Sequence, residues 1–530
     1  RGNRCSRQRR VSKMRRIHPV MQDVNRYISQ PAGETADLHG VQPRFAVAVS
    51  VAVVVVWALW AAYFNTAQFG DNIEQFNWAQ SLELGYHKHP PLPSWLLGSV
   101  IKLFGPSIYW AYVLAALCLI GTAIFTWLIG RELVGDRVAA AGCLLWGLNM
   151  TFSQRAQLYN HNTVLVLWFA ATTWFAMRAC RAQRTAPLWW LATGLAAGAA
   201  TLSKYQAVVP LAGLLLALAW SGRLKRPAQW GGMLGAIVAM VAVCAPHAVW
   251  VAQHHFSTLR YASEAIVTSS LGQRLGFIVS FAANQLRLWS PALLAIALYA
   301  GWARLSPKVV ARRAGETAPD LSIWMVGLLW VGLAVLVVMA LAAGASLRNH
   351  WGVQALQFFC IWLAWRWDRN RPIDMTRVVC VALAVHVASL AWYASEHRDP
   401  TAVLAKRRID TMYPARRLAL AAVAHWTQST KCPLHYVAGN TFDAGLVSLY
   451  SGGSLKVFDS ESATPWVRAE DVRRRGAIYV LDDDDVVPAG VTNVILFDVV
   501  PGDRHGRPAK TIRLGVLPPA LPCTAAGNVY

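Results

Sequence analysis

Eleven apolar stretches recur along this sequence, at about 44–64, 109–129, 137–153, 163–178, 187–203, 206–221, 230–250, 278–302, 321–344, 350–366 and 376–394. Many are close to the roughly 20 residues that cross a bilayer, and lipid offers no partner to a bare N–H or C=O, so they must be helices. With 55% hydrophobic and only 15% charged residues, the chain belongs with polytopic membrane proteins rather than soluble ones. A net charge of +23 would suit nucleic acid. The cations, however, sit in the N-terminal arm and in short connections between apolar runs, which is what membrane topology produces, and no nucleic-acid partner is expected.

Residues 1–43 are polar and Arg-rich at their start, and read as a disordered cytoplasmic arm. The first apolar run lies too far along the chain for a cleaved signal peptide and is an uncleaved span. If the arm is inside, the inside loops hold Arg131 and Arg137; Arg178, Arg181 and Arg184; Arg223, Lys225 and Arg226; Arg304, Lys308, Arg312 and Arg313; and Arg366, Arg369, Arg371 and Arg377. The outside loops hold Lys88, Lys102, Arg155, Lys204, Arg260, Arg274, Arg287 and Arg348. The inside set outnumbers the outside set about two to one, as the positive-inside rule requires. The expected architecture is therefore mainly α, with about 11 transmembrane helices over 44–394. Two long outer loops, 65–108 and 251–277, interrupt it, and residues 395–530 form a small α/β domain on the outer face. In that domain His435–Ala438, Leu455–Phe458, Ala477–Leu481, Asn493–Phe497 and Thr511–Val516 read as strands, and Phe442–Tyr450 and Ala469–Arg475 as helices or loops. Cys432 and Cys523 flank it and could pair in an oxidising compartment.

The first outer loop concentrates ionisable groups: Asp71, Glu74, Lys88 and His89, the last two stiffened by Pro90-Pro91. In a helix over 71–83, Asp71, Glu74, Gln75 and Trp78 would share one face. The alternative is an interfacial helix with an ordinary polar side. Lys204, Arg260 and Arg348 each lie where an outer loop meets a span. A lone cation there could simply snorkel, but several converging opposite a carboxylate suit a lipid phosphate. Asp482 to Asp485 spells a D-x-D, yet follows a strand-like run and reads as a solvated acidic turn. His254-His255 could ligate metal with Glu74, but adjacent histidines diverge on regular backbone, and structural or donor contacts fit better. No phosphate-binding loop, dinucleotide fingerprint or nucleophile elbow occurs.

In order along the chain stand Asp71, Trp78, Gly85-Tyr86-x-x-His89-Pro90-Pro91-Leu92 and Trp95, then Ser203-Lys204-Tyr205-x-Ala207, Pro246-x-x-x-Trp250-x-x-Gln253-His254-x-Phe256 and Asn349-His350-Trp351. This pattern, over about 44–365, resembles the glycosyltransferase family 39 group. Those are bacterial relatives of the dolichyl-phosphate-mannose protein mannosyltransferases and of the lipid A aminoarabinose transferase. The resemblance implies a GT-C fold and a sugar transferred from polyprenyl phosphate on the periplasmic side of the bacterial inner membrane. It implies Asp71 as catalytic residue; Glu74, Lys88, His89, Lys204, Tyr205, His254, Arg260, Arg348 and His350 are the candidates for binding donor phosphate or acceptor. Where that group often has Asp-Glu, this chain has Asp71-Asn72, and Lys88-His89 precede its prolines.

Chemically, a departing polyprenyl phosphate needs cations and an acceptor hydroxyl needs a base, for which Asp71 is best placed. One base and an in-line displacement imply inversion. The expected partners are the polyprenyl phosphate sugar, a lipid or glycan acceptor and membrane lipids. No cofactor is demanded, although the chemistry has room for a divalent metal. The competing class is a polyprenyl-lipid transporter or flippase, which would show inverted repeats and broken mid-membrane helices; no clear repeat is visible.

Overall fold

The computed structural model describes residues 41–263, 270–304, 319–369, 371–500 and 510–520. The N-terminal arm up to residue 40 and Cys523 lie outside the described residues. The main helices of the first part are α1 (Pro43–Phe64), α2 (Gly70–Trp78), α3 (Leu92–Phe104), α4 (Trp110–Val134), α5 (Asp136–Gly147), α6 (His161–Arg181), α7 (Ala186–Ser203), α8 (Val208–Trp220), α9 (Pro227–Gln253), α10 (Leu271–Arg304), α11 (Ser322–Ala343), α12 (Phe359–Asp368) and α13 (Met375–Glu396). Every predicted apolar run falls on helix. Among the described residues seven helices, α1, α4, α6, α9, α10, α11 and α13, are long and apolar enough to cross a membrane. The remaining runs form α5, α7, α8 and α12, the last preceded by the short helix Trp351–Ala355. The chain is a multi-pass membrane protein.

Local sequence accounts for these elements. Pro43 and Pro227 open α1 and α9, where a missing N–H leaves no bond unmade. Small residues set the closest crossings, because lipid competes for ordinary apolar surface and only near-touching backbones gain contact. A Cβ on Gly194 of α7 would lie 2.1 Å from the Ala236 carbonyl oxygen of α9. Gly213 of α8 and Gly327 of α11 face each other's carbonyl oxygens in the same way. Leu59, Leu234, Val238 and Val279 point outward and exposed, the surface a lipid environment covers.

Beyond α13 come α14 (Ala415–Ser429), β1 (Tyr436–Gly439), α15 (Thr441–Tyr450), β2 (Lys456–Phe458), α16 (Ala469–Arg475), β3 (Ala477–Leu481), β4 (Thr492–Val500) and β5 (Lys510–Leu517). The sheet order is β2-β1-β3-β5-β4. β1 runs parallel to β2 and β3, while β5 is antiparallel to β3 and β4. All five predicted strand segments appear. Val437, Val457, Ile478, Val480, Leu514 and Val516 are buried between the sheet and its helices. Asp482 to Asp485 form a turn, with Asp483 accepting from the Thr511 hydroxyl at 2.8 Å. Cys432 is held in a disulfide.

This sheet unit does not hang free. Its helix α15 packs on α2, and Gly445 makes the fit: a Cβ there would meet Ile73 at 2.3 Å. Asn77 donates to the Thr441 carbonyl at 2.8 Å, and Gln80 bonds both the Leu455 carbonyl (3.0 Å) and the Val457 N–H (3.1 Å). The loop with the suspicious carboxylate is thereby clamped between the spans and the sheet.

Candidate active site

The stretch 65–108 is more ordered than a loop: it carries α2 and the apolar α3. Helix α2 starts without a side-chain cap of its own. Asp410, far along the chain, supplies one, its Oδ2 accepting from the Gly70 N–H at 2.9 Å. The Thr411 carbonyl accepts from the N–H groups of Thr66 and Ala67. Glycine at 70 leaves room for that carboxylate, which a Cβ there would meet at 3.0 Å. Asp71 then stands exposed in the first turn, while Asn72, Gln75 and Trp78 are buried. The predicted shared face is thus divided: Asp71 opens to solvent and Glu74 meets Lys88 at 2.8 Å. Burial raises the Glu74 carboxyl, with Lys88 opposing. Burial pulls the Lys88 ammonium down, but Glu74 more than offsets it and holds it above the usual lysine range.

The motif aromatics and glycine are scaffolding. Trp78 and Tyr86 stack at 4.8 Å, and the Tyr86 hydroxyl donates to the Ser81 carbonyl at 2.7 Å. Gly85 lies flat on Trp250, whose ring a Cβ would meet at 2.3 Å. His247 Nδ1 bonds the Leu84 carbonyl at 2.7 Å, and its Nε2 bonds the Tyr205 hydroxyl at 2.7 Å. Asn72, at the departure from the family wording, is fully buried. Its amide donates to the Gln157 carbonyl (3.0 Å) and accepts from the Tyr159 N–H (2.8 Å). A carboxylate could not donate there, so the amide is what the position needs.

The start of α6 completes the arrangement. Asn160 is its N-cap, with Oδ1 accepting from the N–H groups of Asn162 (2.9 Å) and Thr163 (3.0 Å). That leaves its Nδ2 to donate to Asp71 Oδ2 at 2.7 Å. The His161 ring lies 4.1 Å from that of His89. Asn162 Oδ1 accepts from Lys204 Nζ at 2.9 Å and from Gln354 at 3.1 Å. Burial brings the Lys204 ammonium down from 10.5 to about 8, with Asp71 opposing. Burial, then His161, Lys204, Lys88 and His350, keep His89 well below the usual histidine range and so neutral. His350 is exposed at residue level, but protein packed around its ring, then the charges of Lys204 and Arg348, draw it below the usual histidine range.

Of the predicted residues, the structure therefore gathers Asp71, Glu74, Lys88, His89, Lys204 and His350, with Tyr205 bracing the group through His247. The charge of Arg348 reaches His350, and Tyr261 of the short helix Ser257–Ser263 covers Lys88 at 5.9 Å. His254 instead stacks on Trp250 at 4.0 Å and bonds that residue's carbonyl. Arg260 is exposed on the short helix. Asn160, His161 and Asn162 are the residues sequence reasoning missed. Among the described residues no group of three or more His, Cys, Asp or Glu is placed to hold a metal ion. An apolar cavity of about 250 Å³ between α5, α10, α12 and α13 lies at the Arg366 end of the bundle, away from Asp71.

Residues 88–250 match the dolichyl-phosphate-mannose-protein mannosyltransferase family. That span holds Lys88, His89, Asn160 and Lys204 but begins after Asp71. The lipid A galacturonosyltransferase RgtD of Rhizobium johnstonii is 24% identical over 341 residues, covering 61% of this chain and 67% of its own. The lipopolysaccharide core galacturonosyltransferase RgtA of the same organism is 31% identical over 183 residues, 34% of this chain and 36% of its own. Among solved structures, ArnT from Cupriavidus metallidurans bound to undecaprenyl phosphate superposes with a TM-score of 0.58 at 13% identity, covering 90% of this chain and 99% of that one. The shared architecture is the GT-C fold.

Proposed function

We propose that this chain, a glycosyltransferase of the GT-C fold, moves a sugar from a polyprenyl phosphate to lipid A or the lipopolysaccharide core. The observation that carries this reading is the accessible Asp71 carboxylate, fixed by Asn160 and close enough for its charge to reach Lys204, with Lys88 held by Glu74 one turn further along α2. The acceptor hydroxyl gives its proton to Asp71 as its oxygen attacks the anomeric carbon. The bond from that carbon to the phosphate oxygen breaks, and the phosphate leaves with the electron pair toward Lys204 and Lys88. In-line attack from the Asp71 side inverts the anomeric configuration. The donor class is supported by the undecaprenyl phosphate held by ArnT, and the acceptor class by the names of the galacturonosyltransferases. The loop charges and the Cys432 disulfide support a periplasmic site on the inner membrane.

The test is reconstitution of the purified protein with a polyprenyl phosphate sugar and lipid A, read by mass spectrometry. The acceptor should gain one sugar, and Asp71→Asn should abolish that gain. A purified Asp71→Asn variant working near the wild-type rate would sink the base assignment. In cells with and without the intact gene, unchanged glycans with altered lipid distribution would favour a transporter.

A further inference from the structure

Two arginines tied to the connection between α5 and α6, one of them beside the start of α2, take no part in the reaction just described. Arg155 belongs to the turn-rich segment between α5 and α6, and its guanidinium lies 5.8 Å over the ring of Phe69, the residue before α2. Arg287 belongs to α10, one turn before Pro291. Proline has no N–H to give the Arg287 carbonyl. Next to it, the Leu288 carbonyl accepts from Met150 N–H at 2.9 Å, and Arg155 N–H bonds the Met150 carbonyl at 3.0 Å. One backbone junction therefore carries both arginines, and each residue keeps part of its surface exposed although protein surrounds much of the Arg155 guanidinium.

The carboxylates nearest them have other partners. Asp71 accepts from Asn160, while Asp410 caps α2 and lies 3.8 Å from Arg408. Among the described residues neither Arg155 nor Arg287 forms an ion pair with them. Burial, then the charge of Arg287, pulls Arg155 below the usual arginine range, with Asp71 and Asp410 opposing. Two cations whose charges reach one another are unfavourable until an anion joins them. Guanidinium forks match planar carboxylates and phosphates, where an ammonium offers only a point charge.

We infer that Arg155 and Arg287 form a second anion subsite, beside Asp71 and separate from Lys88 and Lys204, which takes an oxyanion carried by one of the two substrates. That oxyanion is the carboxylate of an acidic sugar or a phosphate on the acceptor. The inference rests on the proposed sugar transfer and names its substrate chemistry: at least one substrate bears a negative charge besides the phosphate that leaves.

Full-length wild type and the Arg155→Gln, Arg287→Gln and double variants are purified into lipid nanodiscs and given four substrate pairs. The donor polyprenyl phosphate carries galacturonic acid or galactose, and the lipid A acceptor keeps or lacks its phosphates. The double variant should raise KM about 10- to 100-fold for the charged form of one substrate, the range expected for hydrogen bonds to charged groups. The value for its neutral counterpart, and kcat, should move little. A change confined to the acidic donor assigns the sugar carboxylate; one confined to the phosphorylated acceptor assigns its phosphate. Arg→Lys variants at both positions should fall between, and unchanged thermal unfolding confirms that the variants are folded. Equal loss on all four pairs, or no loss on any, overturns the subsite. Wild type inactive with every pair overturns the transfer reading itself, and this inference with it.

Discussion

Asn160 is asked to do two things at once, and they can be separated. Its oxygen caps α6 and its nitrogen holds Asp71 at 2.7 Å. Serine is an equally good N-cap but has no amide to reach the carboxylate, so Asn160→Ser should leave stability within about 0.5 kcal/mol. Asn160→Ala loses the cap as well and should cost about 1 kcal/mol. For activity, a hydrogen bond to a charged group is worth roughly 1.5–3 kcal/mol when its partner is left bare. Asp71 is accessible and water can replace part of the bond, so the lower end applies: about tenfold in kcat/KM. The assay is initial rate against acceptor concentration at saturating donor, beside thermal unfolding in the same detergent. Both variants should lose about tenfold in rate, while only alanine lowers the melting temperature. Wild-type activity in Asn160→Ser, or equal destabilisation by serine and alanine, would refute the reasoning.

Other consequences follow from the same geometry. Lys204 is a cation only below its lowered pKa, so phosphate stabilisation is complete under pH 7 and fades as pH rises through about 8. Lys204→Arg should carry the falling limb of the rate profile to higher pH, and a limb that stays in place would exclude Lys204 as its source. Asp410→Ala removes the cap of α2 and should cost about 1 kcal/mol and slow turnover, while Asp410→Asn, still an acceptor, should behave nearly as wild type in both assays. Gly85→Ala drives a methyl into the Trp250 ring and should cost about 1–3 kcal/mol by denaturation, less when Trp250 is shortened.

The membrane part was legible because lipid imposes one solution on an apolar run, and the eleven runs all became helices. Their number as crossings was less legible: α5, α8 and α12 have 12, 13 and 10 residues, shorter than a bilayer alone would dictate. The strands were legible from short β-branched runs between turn residues. Asp71, Lys88, His89 and Lys204 stood out because charge beside a span is expensive. Asn160 and Asn162 did not, because an asparagine before an apolar run looks like any helix start. Their meaning lies in contacts with Asp71 and Lys204, 89 and 42 residues away in the chain. The helical character of Leu92–Phe104 was hidden by its short length, and the attachment of His254 to Trp250 could not be read from a motif that merely spaces them.

The bonds from residues 410 and 411 to the start of α2 fix an order of events during synthesis. The ribosome delivers Gly70 long before Asp410, which follows it by 340 residues. Until then α2 is a nine-residue helix with no cap and no α15 over Ile73, too short to hold itself in water. The cap on Gly70 and the cover over Ile73 can form only after α13 has been inserted and the sheet has folded against the loop. A half-made chain already resident in the bilayer therefore carries an α2 without its cap and without its cover, and finishing translation is what seats the helix.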